Sequence, residues 1–372
     1  MEIKIKVVET PKDLKKFIYL PANLYKDNEN WIPPIYSEEW KFFKASKNKA
    51  LTYSETIKIL AYNDGKAVGR IMGIINNKFN AAKKDKQARF FMLECVNDND
   101  VASKLINFIE DWAREKGMTN IVGPLGFSDK DPQGCLVEGF EHRAVITAPY
   151  SLSYMQKLIN NSGYVKNLDL LSYKIPVPET MPALYSKIFE RISRNQDFKI
   201  LHFKSRKELK PHIVPVFRIV NETYKDIYAF DKLSEKEMYE LADRYINFLD
   251  PRFVNLIYKG DEPIAFIVSI PDMGIGIQKA KGKLFPFGFI KILGSAKKSS
   301  KLVLLLGAVK EEYRGIGLDV LLAYSVMKAS IDNGIKVIDS HLILEVNTKM
   351  RAEVERVNGE IYKRFRIFKK DL

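Results

Sequence analysis

Only two cysteines, Cys95 and Cys135, occur in 372 residues. Two thiols exclude a disulfide framework and a four-cysteine zinc site, and they suit a reducing compartment. No segment reaches the roughly 18 apolar residues that a membrane-spanning helix needs. The first residues, Met1 to Val8, alternate apolar and charged side chains like a strand and lack the apolar run of a signal peptide. A cytoplasmic chain without integral membrane contact is therefore expected. Histidine, cysteine and aspartate nowhere gather at metal-ligand spacing, so no metal is expected, and no Gly-x-Ser-x-Gly elbow is present. With 16 prolines and 20 glycines and no low-complexity tract, a disordered or fibrous chain is excluded.

What remains is ample core material, 46% hydrophobic and 12% aromatic, in a length that suggests two domains. The formal charge of +14 admits an anionic partner: a phosphate-bearing cofactor, a nucleic acid or a membrane surface. Much of it, however, is lysine interspersed with acid, as in Lys12-Asp13-Leu14-Lys15-Lys16, which is a solubility pattern.

The two halves repeat one order of elements. Each opens with a strand and a basic helix, started at Pro11 in the first half and Ser205 in the second. A hairpin follows, turning at Asn63-Asp64-Gly65 and at Lys259-Gly260-Asp261, residues that tolerate positive φ. Next come a strand (Arg89–Val96; Leu302–Val309) and an amphipathic helix (about 100–116; about 318–332). These helices stop at Gly117 and Gly334, as left-handed C-caps require. A further strand, a short helix and a last strand close each half. This order predicts an α/β (α+β) chain of two similar domains, 1–178 and 179–372, each a mixed, mostly antiparallel sheet flanked by helices. The proline-rich stretch Ile175–Pro182 is the linker.

The sharpest local signal is Val309-Lys310-Glu311-Glu312-Tyr313-Arg314-Gly315-Ile316-Gly317-Leu318, between a buried strand and a helix. Such a loop aims free amides and the positive end of a helix dipole at one point, and glycine lets an anion approach the backbone. It is neither a P-loop nor a dinucleotide fingerprint. On these residues the chain resembles the GNAT superfamily of acyl-CoA-dependent N-acyltransferases, in its tandem form. Arg314 and Gly317 match the family's Arg/Gln-x-x-Gly-x-Gly/Ala loop, while Asp319 stands where glycine or alanine is usual.

The resemblance implies that Arg314, Gly315, Ile316, Gly317 and Leu318 hold the pyrophosphate of coenzyme A. It also implies that Gly307 and Val309, on a strand that splays from its neighbour, bind the thioester end, and that Asn347 contacts the pantetheine. The family's acid tyrosine would fall near Val354, which makes Tyr362 the nearest replacement. Glu345 is the first candidate for the base, then Asp339 and His341. The corresponding first-half loop, Val96-Asn97-Asp98-Asn99-Asp100-Val101, has neither arginine nor glycine, and its aspartates would repel a pyrophosphate. That half is expected to shape the acceptor site or buttress the other. Its irregular stretch Gly123–Gly134 offers Phe127, Asp129 and Asp131 for an acceptor.

An insertion, 277–293, mixes lysines, phenylalanines and glycines. It would cover a hydrophobic acceptor, touch an anionic membrane surface, or pack its aromatics between the domains. The expected activity is transfer of acetyl from acetyl-CoA to a primary amine of a small molecule or peptide. Two alternatives stand beside it. An aminoacyl-tRNA-dependent transferase would suit the charge, but it has no need of a pyrophosphate loop, which makes nucleic acid unlikely as a partner. A catalytically silent coenzyme A-binding module would accommodate Asp319.

Overall fold

The computed structural model describes residues 2–194, 197–225 and 227–372. Its strands are β1 (Lys4–Val7), β2 (Ser54–Asn63), β3 (Lys66–Asn76), β4 (Gln87–Cys95), β5 (Asn120–Gly123), β6 (Cys135–Glu138), β7 (Val165–Pro176), β8 (Phe198–His202), β9 (Val254–Lys259), β10 (Glu262–Pro271), β11 (Lys301–Val309), β12 (Val337–Leu344) and β13 (Glu360–Asp371). All thirteen belong to one sheet. Its order is β1-β2-β3-β4-β5-β13-β7-β12-β11-β10-β9-β8, with β6 on β13. Only β4–β5 and β11–β12 pair in parallel.

The order contains an exchange. The closing strand of the first half, β7, pairs with β12 of the second, and the closing strand of the second, β13, pairs with β5 of the first. β7 and β13 then pair with each other along most of their length. Although the linker separates the halves in sequence, each half is completed by the other. Asp169 of β7 secures the join. Its buried carboxylate accepts two bonds from Arg366 of β13, at 2.8 and 2.9 Å, and also meets Arg364 and Lys166. Burial alone would raise the Asp169 carboxyl, but the bonds from Arg366 and Lys166 outweigh it and hold the group below 3.8.

Helices cover both halves for the reason the sequence gives. The helix Asn99–Glu115 lays Leu105, Ile106 and Ile109 on β2 to β4, where each buried side chain contributes roughly 1.5–3 kcal/mol. Gly117 and Gly334 stop their helices with φ of +74° and +70°. The helix Leu318–Asp332 buries Leu318, Leu321 and Leu322 in the equivalent position. One expected helix is different. The basic segment after Ser205 is a single turn, Arg206–Leu209, followed by a 3₁₀ turn and the helix Ile213–Thr223. Pro211 and Pro215 lack the amides a continuous helix would use.

Candidate active site

β11 and β12 pair from Lys301–Val337 as far as Leu304–Ser340 and then part. β11 continues against β10 to Val309, and β12 continues against β7 to Leu344. The two central strands therefore open into a V, and Leu305, Leu342 and Leu344 of the diverging segments pack into one apolar cluster. Within a strand, the N–H and C=O of one residue point the same way. Gly307 spends both on Tyr224, donating to its Oη at 3.3 Å and accepting from it at 3.0 Å. The Gly307 amide thus faces the V, not β10. Tyr224 closes the helix Ile213–Thr223. Burial pushes its phenol up to about 12; the Gly307 bond pulls it back, and the Asp129 carboxylate adds to the rise.

Beyond Val309 the chain makes one 3₁₀ turn, Glu311–Tyr313, and enters the fifteen-residue helix Leu318–Asp332. Gly315 and Gly317 take φ of +79° and +95°, which side-chain-bearing residues avoid. Among the described residues, the amides of Gly315, Ile316 and Gly317 have no protein partner, and they stand at the positive end of that helix. Arg314 is exposed and bonds the Val309 carbonyl at 3.3 Å through Nε. Partial burial and the nearby Asp319 carboxylate raise Glu353, against Arg356 and Arg314, so Asp319 lies beside the helix Thr348–Arg356. Free amides, a helix N-terminus and a guanidinium fit the pyrophosphate of coenzyme A. The corresponding first-half helix is closed by its own sequence, since Asp98 Oδ1 accepts from the amides of Asp100 and Val101 at 2.8 and 3.3 Å.

The expected acceptor loop of the first half reaches this region. Asp129 donates its amide to the Ala229 carbonyl at 3.2 Å, and Lys130 Nζ bonds the Asp231 carbonyl at 2.7 Å. The Asp129 carboxylate pairs with Lys130 at 2.6 Å; burial raises its carboxyl while Lys130 opposes the rise. Asp131 and Phe127 have another task. Asp131 Oδ2 accepts the Phe127 amide at 2.8 Å, and Phe127 is buried with its carbonyl held by Arg89 and Asn76. These two shape the loop, and Asp129 is the member whose charge reaches Tyr224.

Other expected residues stand elsewhere. Glu345 is no free base, because Oε1 accepts the Asp169 amide at 2.9 Å and Oε2 accepts Lys166 at 2.7 Å. Tyr362 donates to Asp339, and Lys301 pairs with the same carboxylate. Lys301 lies six residues before Gly307, roughly 20 Å of strand away, so Tyr362 and Asp339 sit at the closed end of the V. The side chain of His341 lies outside the described residues. Asn347 caps its own helix by accepting from the Met350 amide at 3.2 Å. Tyr224 had no local signal in the sequence. It joins the site through a helix end that tertiary packing brings to Gly307. Among the described residues, no group of three or more His, Cys, Asp or Glu could hold a metal, and no helix is long and apolar enough to cross a membrane.

The closed end has its own chemistry. Lys174, Lys301 and Lys363 all place their ammonium groups within 5.5 Å of the Tyr362 ring centre. Burial lowers Lys363 from 10.5 to about 8; Lys301 and Lys174 reinforce the shift, and Asp339 and Asp272 oppose it. Between pH 8 and 10.5 the unfolded chain keeps a proton that the folded chain gives up, so this group makes stability rise with pH across that window. Below pH 8 the buried charge costs about 3 kcal/mol, and losing its bond to the Arg143 carbonyl would cost about 1. Lys363→Met is expected to be about 2 kcal/mol more stable than wild type at pH 7. Urea unfolding should show that advantage disappearing by pH 10.5; an advantage unchanged with pH would remove this account.

A doubled α/β sheet, mostly antiparallel, flanked by helices and opened into a V between two parallel strands, has the tandem GNAT fold. A tandem GNAT protein from the clavulanic acid biosynthesis pathway aligns with 100% of this chain and 98% of its own, at TM-score 0.59 and 11% identity. Two curated relatives span nearly the whole chain. One is named bacterial ceramide synthase, from Caulobacter vibrioides (strain NA1000 / CB15N), 28% identical over 381 residues, covering 100% of this chain and 98% of that protein. The other is protein YghO of Escherichia coli (strain K12), 28% identical over 369 residues, covering 97% and 93%. No family model matches the chain.

Proposed function

We propose that the chain is an acyl-CoA-dependent N-acyltransferase that joins a fatty acyl group to a long-chain primary amine. The observation that carries this reading is the Gly307 amide, turned into the V beside a phosphate cradle one strand-end away. The amine nitrogen attacks the thioester carbon, and the Gly307 N–H, exchanging Tyr224 for substrate, holds the developing oxyanion. The carbon–sulfur bond then breaks, and Tyr224, protonated at neutral pH, gives its proton to the departing thiolate. The amine attacks in its neutral form, and its nitrogen returns a proton to Tyr224 as the amide forms, which restores the phenol; Asp129, paired with Lys130, lends the site its charge without serving as a base. Arg314 and the amides of 315–318 hold the pyrophosphate.

Two observations favour a long acyl chain over acetyl. The diverging segments at the V carry Leu305, Leu342 and Leu344, which belong to one apolar cluster with Ile277 and Ile292. One relative is named a ceramide synthase, and a ceramide is the amide of a fatty acid with a long-chain amine.

Titration calorimetry with acetyl-, octanoyl- and palmitoyl-CoA tests the donor. Affinity should rise with chain length and vanish in Arg314→Ala with Gly317→Glu. Equal affinity for all three would return the reading to acetyl transfer, and binding that survives in the double variant would move the cradle elsewhere. Tyr224→Phe is expected to lower kcat about a hundredfold with little change in KM, measured by thiol release; an unchanged kcat would remove Tyr224 from the chemistry.

A further inference from the structure

Between Asp272 and Glu311 the chain contains no acidic residue, while Lys279, Lys281, Lys283, Lys291, Lys297 and Lys298 all fall within this stretch and are exposed. The same stretch carries Phe285, Phe287 and Phe289, the only exposed phenylalanines among the described residues. Phe285 is 82% exposed, Phe287 67% and Ile290 68%, next to the exposed Ile275. Two short helices, Gly274–Ala280 and Gly288–Lys297, carry Ile275, Phe289 and Ile290, and the turn between them holds out Phe285 and Phe287.

The mount is rigid. Ile277 and Ile292 are buried in the cluster that reaches the V. At Gly276 the two helices come so close that a β-carbon would lie 2.6 Å from the Ile292 Cα. Gly282, with φ +70°, is pressed against the Pro34 carbonyl, and its own carbonyl accepts the Tyr36 amide at 3.0 Å. Gln278 Nε2 bonds the carbonyls of Glu29 and Trp31 at 2.7 and 2.8 Å. Apolar side chains left exposed on a braced scaffold are built for a partner.

We propose that this hairpin of helices is a docking surface for an anionic phospholipid bilayer. Phe285, Phe287 and Ile290 enter the headgroup boundary, and the lysines lie among the phosphates. Charge complementarity selects this occupant. A run of lysines without an acid suits a surface of negative lipids, and aromatic with aliphatic side chains suits the shallow apolar layer beneath them. Docking would hold the exposed face of the helix pair against the membrane, with the V behind its buried face, close to the bilayer from which long-chain amines would diffuse. The inference stands on the surface itself, so its failure leaves the transferase reading untouched.

Full-length protein is mixed with phosphatidylcholine vesicles with and without phosphatidylglycerol, and sedimentation is measured. Binding should require phosphatidylglycerol and weaken with salt. Lys279→Gln with Lys281→Gln and Lys291→Gln should lower vesicle affinity about a hundredfold. Phe285→Ser with Phe287→Ser should lower it at least about tenfold. Both sets change exposed residues, so circular dichroism and acyl-CoA affinity should stay at wild-type values. Absence of binding by the wild type, or equal binding by the phenylalanine variant, overturns the proposal. A dimer in light scattering that the phenylalanine variant dissolves, with no vesicle binding, overturns it in favour of a second copy on this face.

Discussion

Asp169→Ala is expected to lose about 3 kcal/mol of stability, read as a fall in the urea midpoint at unchanged slope. The carboxylate is 1% exposed and serves Arg366, Arg364 and Lys166 together; its removal leaves those cations facing one another across β7 and β13. The lower end of the range for a broken buried pair applies, because the arginines retain a quarter or less of their exposure and water screens part of the loss. The pH dependence has a definite sign. Since the folded carboxyl lies below 3.8, its contribution is complete above that pH and drains away as pH falls towards the folded value. The wild-type and Asp169→Ala proteins should therefore converge in acid. A midpoint that hardly moves would mean that the exchanged strands are held by their backbones and apolar faces alone.

Gly307→Pro is expected to lower kcat by 10²–10³, equivalent to about 2.7–4 kcal/mol of transition-state stabilisation, with the sheet intact. Proline removes the N–H, sets a ring carbon in its place beside Tyr224 and fixes φ near −65°, a value an extended strand accommodates at a small cost. The Gly307 backbone faces Tyr224, while β10 is bonded from the other edge of the strand, so no ladder bond is lost. The variant should bind acyl-CoA with near wild-type affinity, because the proposed phosphate cradle at 314–318 lies beyond the substitution. Full activity in a folded Gly307→Pro protein would exclude this amide as the oxyanion donor. Lost affinity together with lost turnover would indicate that the V had closed.

Local order was plain in the sequence wherever glycine or proline gave it a boundary. Gly117 and Gly334 end their helices, and Gly65 and Gly260 turn their hairpins, because positive φ at those places leaves little choice of residue. The turn before the helix Leu318–Asp332 was visible for the same reason, through Gly315 and Gly317. The exchange of β7 and β13 was not visible. Nothing in either strand's own pattern names its neighbour, and what chooses the partner is a tertiary event such as Asp169 meeting Arg366. The same limit explains the site residues. Glu345 stands at a strand end near the V, as a base would, yet a lysine and an amide from β7 claim both its oxygens. Tyr224 and Asp129 lie 95 positions apart and come within electrostatic reach only after the halves close on each other.

The exchanged strands also bear on the order in which the chain can be made. Synthesis delivers β1 to β5 long before residues 360–371, so the first half waits with the far edge of β5 bare until almost all the rest has been translated. Expressed alone, residues 1–178 would lack the strand that closes their own sheet, and residues 179–372 would carry a strand with no sheet of its own to close. Put together in one solution, the two pieces have the complementary edges needed to reassemble. A doubled fold joined in this way becomes indivisible: the first half, although Asp98 claims the helix amides that the second half leaves free, cannot be shed without taking the structure of the second with it.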